Sequence, residues 1–143
     1  VFDDTLDFKL GKAIRIREGK DITLIASGIE VARAIEAAEI LGQEGIDARV
    51  VNIHTWKPID KDEIIACAKE TGAIVTCENH NVINGLGSAV AEVLVQNLPV
   101  PMRMVGVKDE FGQVGKNAYL SEVYHLTAQD IVENAKAVLA QKR

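Results

Sequence analysis

The sequence predicts an α/β fold built on a largely parallel sheet covered by helices on both faces. Three observations carry this. Short, β-branched, apolar runs recur along the chain, as in Ile22-Thr23-Leu24-Ile25-Ala26-Ser27. Between them lie stretches with apolar residues at helical spacing, closed by glycines such as Gly45 and Gly72. From Ile22 onward strand and helix alternate, and strands joined through helices need right-handed crossovers and therefore parallel neighbours.

The elements follow in order. Residues 13–17 alternate apolar and basic side chains, which suits an edge strand whose charged face discourages unwanted pairing. The turn Glu18-Gly19-Lys20-Asp21 is short enough that local reasoning pairs this strand with the next as a hairpin. Residues 22–27 read as a strand buried on both faces, ending at Gly28. Val31, Ile35, Ala38 and Leu41 set the stripe of a helix over 30–44, stopped by Gly45. The pattern repeats with a strand over 48–54, a loop marked by Pro58, and a helix over 61–71 between the N-cap Asp60 and Gly72. Residues 73–78 are the next strand, 85–98 the next helix and 102–107 the last strand. An irregular segment then runs to Lys116, and a short helix is expected over 118–124. The final helix opens with the capping box Thr127-Ala128-Gln129-Asp130, with Asp where Glu is usual, and Ile131, Ala135, Val138 and Leu139 form its apolar stripe.

With 143 residues and 48% hydrophobic content, the chain can bury one continuous core. Its net charge is -5 and its basic residues are scattered among acidic ones, so no stripe exists to track a phosphate backbone, and nucleic acid is not an expected partner. Apolar runs such as Val93-Leu94-Val95 fall far short of the roughly 20 residues of a membrane span. No basic leader precedes an apolar run at the N-terminus, so no membrane partner and a cytoplasmic location are expected. Cys67 and Cys77 sit in no C-x-x-C pair and beside no His at metal-ligand spacing, and are read as reduced, buried small hydrophobes. Residues 1–9 begin without Met and are polar and irregular, which reads as an interdomain linker leading into a single domain over 10–143.

Parallel α/β sheets bind ligands beyond the carboxyl ends of their strands. The segments to weigh are Ser27-Gly28, His54-Thr55, Glu78-Asn79-His80 and Lys108-Asp109. The stretch from Glu78 to Ser88 is the most suggestive, because Gly85 and Gly87 let backbone approach closely and a helix start favours negative charge. A dinucleotide fingerprint fails there, since Val90 stands where a third small residue is needed. Glu78 also brings its own carboxylate to the helix start, where it can cap free N–H groups and repel a phosphate. The loop is therefore read as packing helix onto sheet, with a small-anion site as the alternative. His80 is the best acid/base candidate, although a surface or interdomain hydrogen bond is the favoured reading. Local hydrogen bonds are expected for His54 and His125. Trp56 is either a rim anchor for a partner domain or core cover. Ser27 lacks the Gly-x-Ser-x-Gly context of a nucleophile, and neither a P-loop nor a metal-ligand cluster occurs.

An ordered set of motifs resembles the C-terminal domain of transketolases. Phe8-Lys9-Leu10-Gly11-Lys12-Ala13 and Glu18 to Gly28 resemble the entry into that domain. Gly45-Ile46, Val50-Val51-Asn52 and Lys57-Pro58-Ile59-Asp60 look like its second crossover. Ile74 to His80, with Gly85-Leu86-Gly87-Ser88 and the residues to Glu92, look like its glycine loop and helix. Val105-Gly106-Val107-Lys108-Asp109-Glu110-Phe111-Gly112 and Leu126 to Ile131 complete the match, and the former looks closest to the C-terminal subunit of split bacterial or archaeal transketolases.

The resemblance implies a three-layer α/β/α domain with a five-stranded mixed sheet of order 1-3-2-4-5 and an antiparallel first strand. That order overrides the local hairpin reading and brings Ser27-Gly28 close to the Glu78 to Ser88 loop. It implies a homodimeric parent enzyme that transfers two-carbon ketol units between sugar phosphates, as in the pentose phosphate pathway, with thiamine diphosphate and a divalent metal such as magnesium. Those sites belong to upstream pyrimidine- and diphosphate-binding domains, so no catalytic, cofactor or metal residue carries onto this chain, and the domain is expected to serve assembly and to be inactive alone. Ser27, Gly28, Glu78, His80, Gly85, Gly87 and Ser88 remain as a candidate anion or interdomain loop. Asn84 stands where the family usually has the first of two glycines, and Asn tolerates the left-handed conformation. The same domain type closes 1-deoxyxylulose-5-phosphate synthases and 2-oxo-acid dehydrogenase beta subunits, which are the alternative parents.

Overall fold

The computed structural model describes residues 7–142, so most of the expected linker over 1–9 lies outside the described residues. The elements are β1 (Ile14–Arg17), β2 (Ile22–Ala26), α1 (Glu30–Gln43), β3 (Ala48–Asn52), α2 (Lys61–Thr71), β4 (Ile74–Asn81), α3 (Leu86–Asn97), β5 (Met102–Val107), α4 (Asn117–Val123) and α5 (Ala128–Leu139). The five strands form one sheet of order β1-β3-β2-β4-β5. β1 runs antiparallel to β3, and β2–β3, β2–β4 and β4–β5 are all parallel. This is the mixed α/β/α architecture that the family resemblance implied.

The hairpin suggested by the short turn at 18–21 does not form, because β3 lies between β1 and β2. The connection instead crosses the start of β3. Lys20 and Asp21 donate their backbone N–H groups to Asp47 O at 3.1 and 3.0 Å, and the Asp21 carboxylate accepts from Asp47 N at 2.8 Å. Backbone hydrogen bonding here is satisfied by β3 and not across a hairpin.

Alternation along the strands divides the core into two layers. On one face Leu24, Ala26, Val50, Val75 and Cys77 pack with Ala34, Ala38 and Leu41 of α1 and Ile131, Ala135 and Val138 of α5. On the other, Ile25, Val51 and Ile74 pack with Ile64, Cys67 and Ala68 of α2 and Leu86, Val90, Val93 and Leu94 of α3. Every residue of β2 is buried, as its continuous apolar run requires of a central strand. Each fully buried Ile or Leu stabilises by about 1.5–3 kcal/mol relative to exposure.

The helices end where their sequences say. Asp60 caps α2 by accepting from Glu63 N, and Gly72 closes it at φ 67. Thr127 and Asp130 form the reciprocal capping box of α5. Arg15 of β1 is tied to α2: it pairs with Glu63 and Glu70, and the nearly buried Arg49 of β3 pairs with the same Glu70 at 2.6 Å. The free thiols of Cys67 and Cys77 are both buried, and burial pushes Cys67 up to about 11, out of reach of thiolate chemistry.

Candidate functional site

The ends of β2, β3, β4 and β5 make the carboxyl edge of the sheet, and antiparallel β1 enters from that same edge, with Ile14 opposite Asn52. β4 runs to Asn81, beyond the expected end at Glu78. Pairing with β5 resumes past an irregularity at Asn81 opposite Val107, and Val82 N donates to Val107 O at 2.9 Å. Asn79 and His80 are thus strand residues held by the neighbouring backbone despite their turn-like composition. The connection to α3 shrinks to residues 82–85.

Glu78 organises that connection. Its side chain is buried, and its two oxygens accept from the backbone N–H groups of Leu86 at 2.7 Å and Gly87 at 2.9 Å. The carboxylate thereby satisfies two of the orphan donors at the start of α3 and sits at the positive end of its dipole. Burial pushes the Glu78 carboxyl above its usual range, and the bonds from Gly87 and Leu86 pull the other way. Both glycines are required by space. A Cβ at Gly85 would lie 2.1 Å from Glu78 Oε2, and one at Gly87 would lie 2.7 Å from Met104 Sδ and 2.8 Å from Thr76 Oγ1. Asn84 takes the left-handed conformation at φ 61, as its residue type allows. Its N–H donates to Ser88 Oγ at 3.0 Å, and the Ser88 hydroxyl donates to Val82 O at 2.9 Å, closing the loop on itself.

The structure therefore joins Glu78, Gly85, Gly87 and Ser88 in one motif. Ser27 and Gly28 form the adjoining turn into α1: Ser27 N donates to Cys77 O at 3.2 Å, Ser27 O accepts from Glu30 N at 3.2 Å, and Gly28 has φ 58. A Cβ on Gly28 would be 3.8 Å from Asn79 Oδ1, so this turn faces β4 across the edge. His80 is exposed, with Nδ1 2.8 Å from Asn81 O and its ring edge-on to Trp56 at 6.3 Å between centroids. A cavity that reaches this edge through Ile29, Asn79 and Val107 includes neither Ser27 nor His80 in its lining. The expected local hydrogen bonds of the other histidines are present, His54 to Thr55 Oγ1 at 2.8 Å and His125 to Asp130 Oδ1 at 3.2 Å.

Sequence reasoning passed over one buried group. Glu30, at the start of α1, is wholly buried and paired with Arg33, which also donates to Ser121 and, at 3.2 Å, to Asn117 of α4. Burial pushes the Glu30 carboxyl up, against the pull of Arg33. The acid–base spacing of three residues on a helix was the available signal.

A five-stranded mixed sheet with one antiparallel edge strand and helices on both faces defines a three-layer α/β/α domain. The chain belongs to the family of the transketolase C-terminal domain, which it matches over residues 11–131. It is 53% identical over 136 residues to the 6-deoxy-6-sulfo-D-fructose transketolase subunit SqwH of Clostridium sp. (strain MSTE9), covering 95% of this chain and 42% of that protein. It is 42% identical over 128 residues to the 1-deoxy-D-xylulose-5-phosphate synthase of Heliobacterium modesticaldum, covering 89% of this chain and 20% of the synthase. A solved structure described as a split gene transketolase, inactive beta4 tetramer, superposes with a TM-score of 0.96 at 48% identity, covering all of this chain and 47% of that one. The chain thus spans less than half the length of these relatives.

The start of α3 does not fit the diphosphate of thiamine diphosphate. A diphosphate needs free donors and a metal needs a ligand set, whereas the N–H groups of Leu86 and Gly87 already serve a carboxylate. Among the described residues no group of three or more His, Cys, Asp or Glu could hold a metal ion.

Proposed function

We propose that residues 10–143 form the C-terminal domain of a transketolase-type subunit and act in its assembly, supplying no reacting group to the ketol transfer. The observation that carries this reading is the state of the most suggestive loop for a ligand: Glu78 fills it from within, so an incoming anion would meet a carboxylate already in place. The identity to a transketolase subunit over 95% of the chain supports the parent activity. In this reading thiamine diphosphate and a divalent metal are held by pyrimidine- and diphosphate-binding domains outside this chain, and the parent is a cytoplasmic oligomer, a homodimer at its smallest.

The relatives are named for different carbohydrates while sharing this domain. That supports a role common to them all, with substrate choice made elsewhere. The test is ketol transfer from a ketose phosphate donor to an aldose phosphate with thiamine diphosphate and magnesium. The chain alone should be silent, and the complete subunit with its partner should turn over. Turnover by the chain alone would overturn the assembly role, and a silent complete enzyme with sugar, sulfosugar and pyruvate donors would overturn the parent activity.

A further inference from the structure

Most of the large exposed apolar side chains among the described residues lie on segments next to one edge of the sheet. Ile29 follows β2, Trp56 follows β3, Ile83 follows β4, and Phe111 and Val114 follow β5. Phe8 precedes the antiparallel β1 and so reaches the same edge, where its ring lies 4.3 Å from that of His54. Every connection along the carboxyl edge carries one. Leu10 likewise precedes β1, and among the described residues the other exposed large hydrophobic side chains are Val95, Leu98 and Tyr119, which lie in or beside α3 and α4. Isolated exposed apolar residues need no explanation, but their concentration along one edge marks an interaction surface.

Two further features belong to an interface. Phe111 and Val114 are 101% and 102% exposed, yet the segment that carries them is hydrogen-bonded to α4 and the residue that follows it. The Tyr124 hydroxyl donates to Phe111 O at 2.9 Å and accepts from Gln113 N at 2.7 Å, and Tyr119 donates to Gln113 Oε1 at 3.2 Å. A segment held so that its apolar side chains point outward has already met its ordering cost before it docks. The stretch Asn79 to Asn84 also carries no formal charge with His80 neutral, and interface centres are depleted of charge and enriched in aromatic residues.

We infer that the carboxyl edge of the sheet is the docking face for the domain that precedes this one in the same subunit, with Trp56, Ile83 and Phe111 as its anchors. The inference rests on the proposed transketolase parentage. The occupant follows from the geometry of entry: the segment leading into β1 lies on this edge, with Phe8 against His54 and a Cβ on Gly11 placed 3.1 Å from the Pro58 ring. A domain joined through that segment is delivered to this face, and the relatives have more than half their length to supply it. This also accounts for a carboxyl edge without an open ligand loop.

Hydrogen exchange of the complete subunit and of the chain described here provides the test. Amides of residues 82–84 and 110–115 should exchange about tenfold or more slowly in the complete subunit, while β2 and β3 amides stay alike. Ile83→Ser with Phe111→Ser, both at exposed positions, should restore fast exchange in the complete subunit without changing the far-ultraviolet circular dichroism. Equal exchange at the edge in both proteins overturns the inference. Protection already present in the short chain and rising with its concentration assigns the face to a second copy and equally overturns it. Ketol transfer measured on the same complete subunit separates the two readings: an active enzyme with an unprotected edge sinks only this inference, and a protected edge in an enzyme without transfer sinks only the parentage.

Discussion

The Glu78 carboxylate occupies the space that a side chain at Gly85 would need, with Oε2 2.1 Å from the position of a Cβ. Gly85 has φ -95, a conformation open to any residue, so the demand for glycine is steric and comes from the glutamate. One residue supplies the charge at the start of α3 and its neighbour supplies the room for it.

Gly85→Ala should therefore destabilise the domain by about 2–3 kcal/mol through overpacking. In a Glu78→Ala background the same change should cost less by about 1 kcal/mol or more, because the two positions share one space. Asn81 O, 2.7 Å from the Cβ position, keeps the residual cost above zero. Urea denaturation of the four proteins measures the cycle, and equal costs in both backgrounds would mean that the carboxylate is not what excludes the side chain.

The pH dependence follows from Glu78 and Glu30, both raised by burial. A carboxyl with a higher pKa in the folded state binds its proton more tightly there, so its contribution is fully present below the unfolded value near 4.5 and is lost as pH rises through the folded value. Stability should decline from mildly acidic toward neutral pH. Glu30→Gln, which keeps an acceptor for Arg33, should flatten that slope. Urea midpoints that rise steadily across this window, or a slope untouched by the substitution, would contradict the assignment.

How much of this was legible depended on where each residue's partners lie. Hydrophobic period and glycine stops placed the helices and the core strands because those signals are local. Strand order was not local: the turn at 18–21 favours a hairpin on its own length, and only the contact of Asp21 with Asp47 reveals the insertion of β3, so the order rested on the family resemblance. The end of β4 was hidden for a similar reason, since Asn79 and Asn81 carry turn composition and are held in the strand by β5. Glu78 could be suspected as a cap from its place before a helix, but the burial of Glu30 left no mark in sequence beyond Arg33 three residues on.

The capping box of α5 should be worth about 1 kcal/mol per partner. Thr127 accepts from Asp130 N at 3.2 Å, and Asp130 accepts from Thr127 N at 2.9 Å. Thr127→Ala and Asp130→Ala should each lower stability by that amount, and the double variant by less than the sum, since each side chain orients the other. Strict additivity in denaturant midpoints at constant slope would show two independent caps.

Gly19 tests the crossing that sets the sheet order. A Cβ there would lie 2.3 Å from Arg49 N and 2.4 Å from the Ala48 carbonyl carbon, both backbone atoms of β3 that no rotamer change can move. Gly19 is not among the glycines of positive φ, so the whole penalty of Gly19→Ala is steric. We expect a loss of about 3 kcal/mol, the upper end for overpacking, because β1 and its connection would have to lift from β3. Gly112→Ala is the matched control: its Cβ would meet nothing within 4 Å, and its effect should stay within about 0.5 kcal/mol. Amide exchange then locates the damage, with Ile14 and Asn52 in the β1–β3 ladder losing protection while Leu24 in β2 keeps it. Comparable small losses for both alanine variants would mean that the 18–21 connection does not press on β3, and the account of why β1 avoids a hairpin with β2 would fall with it.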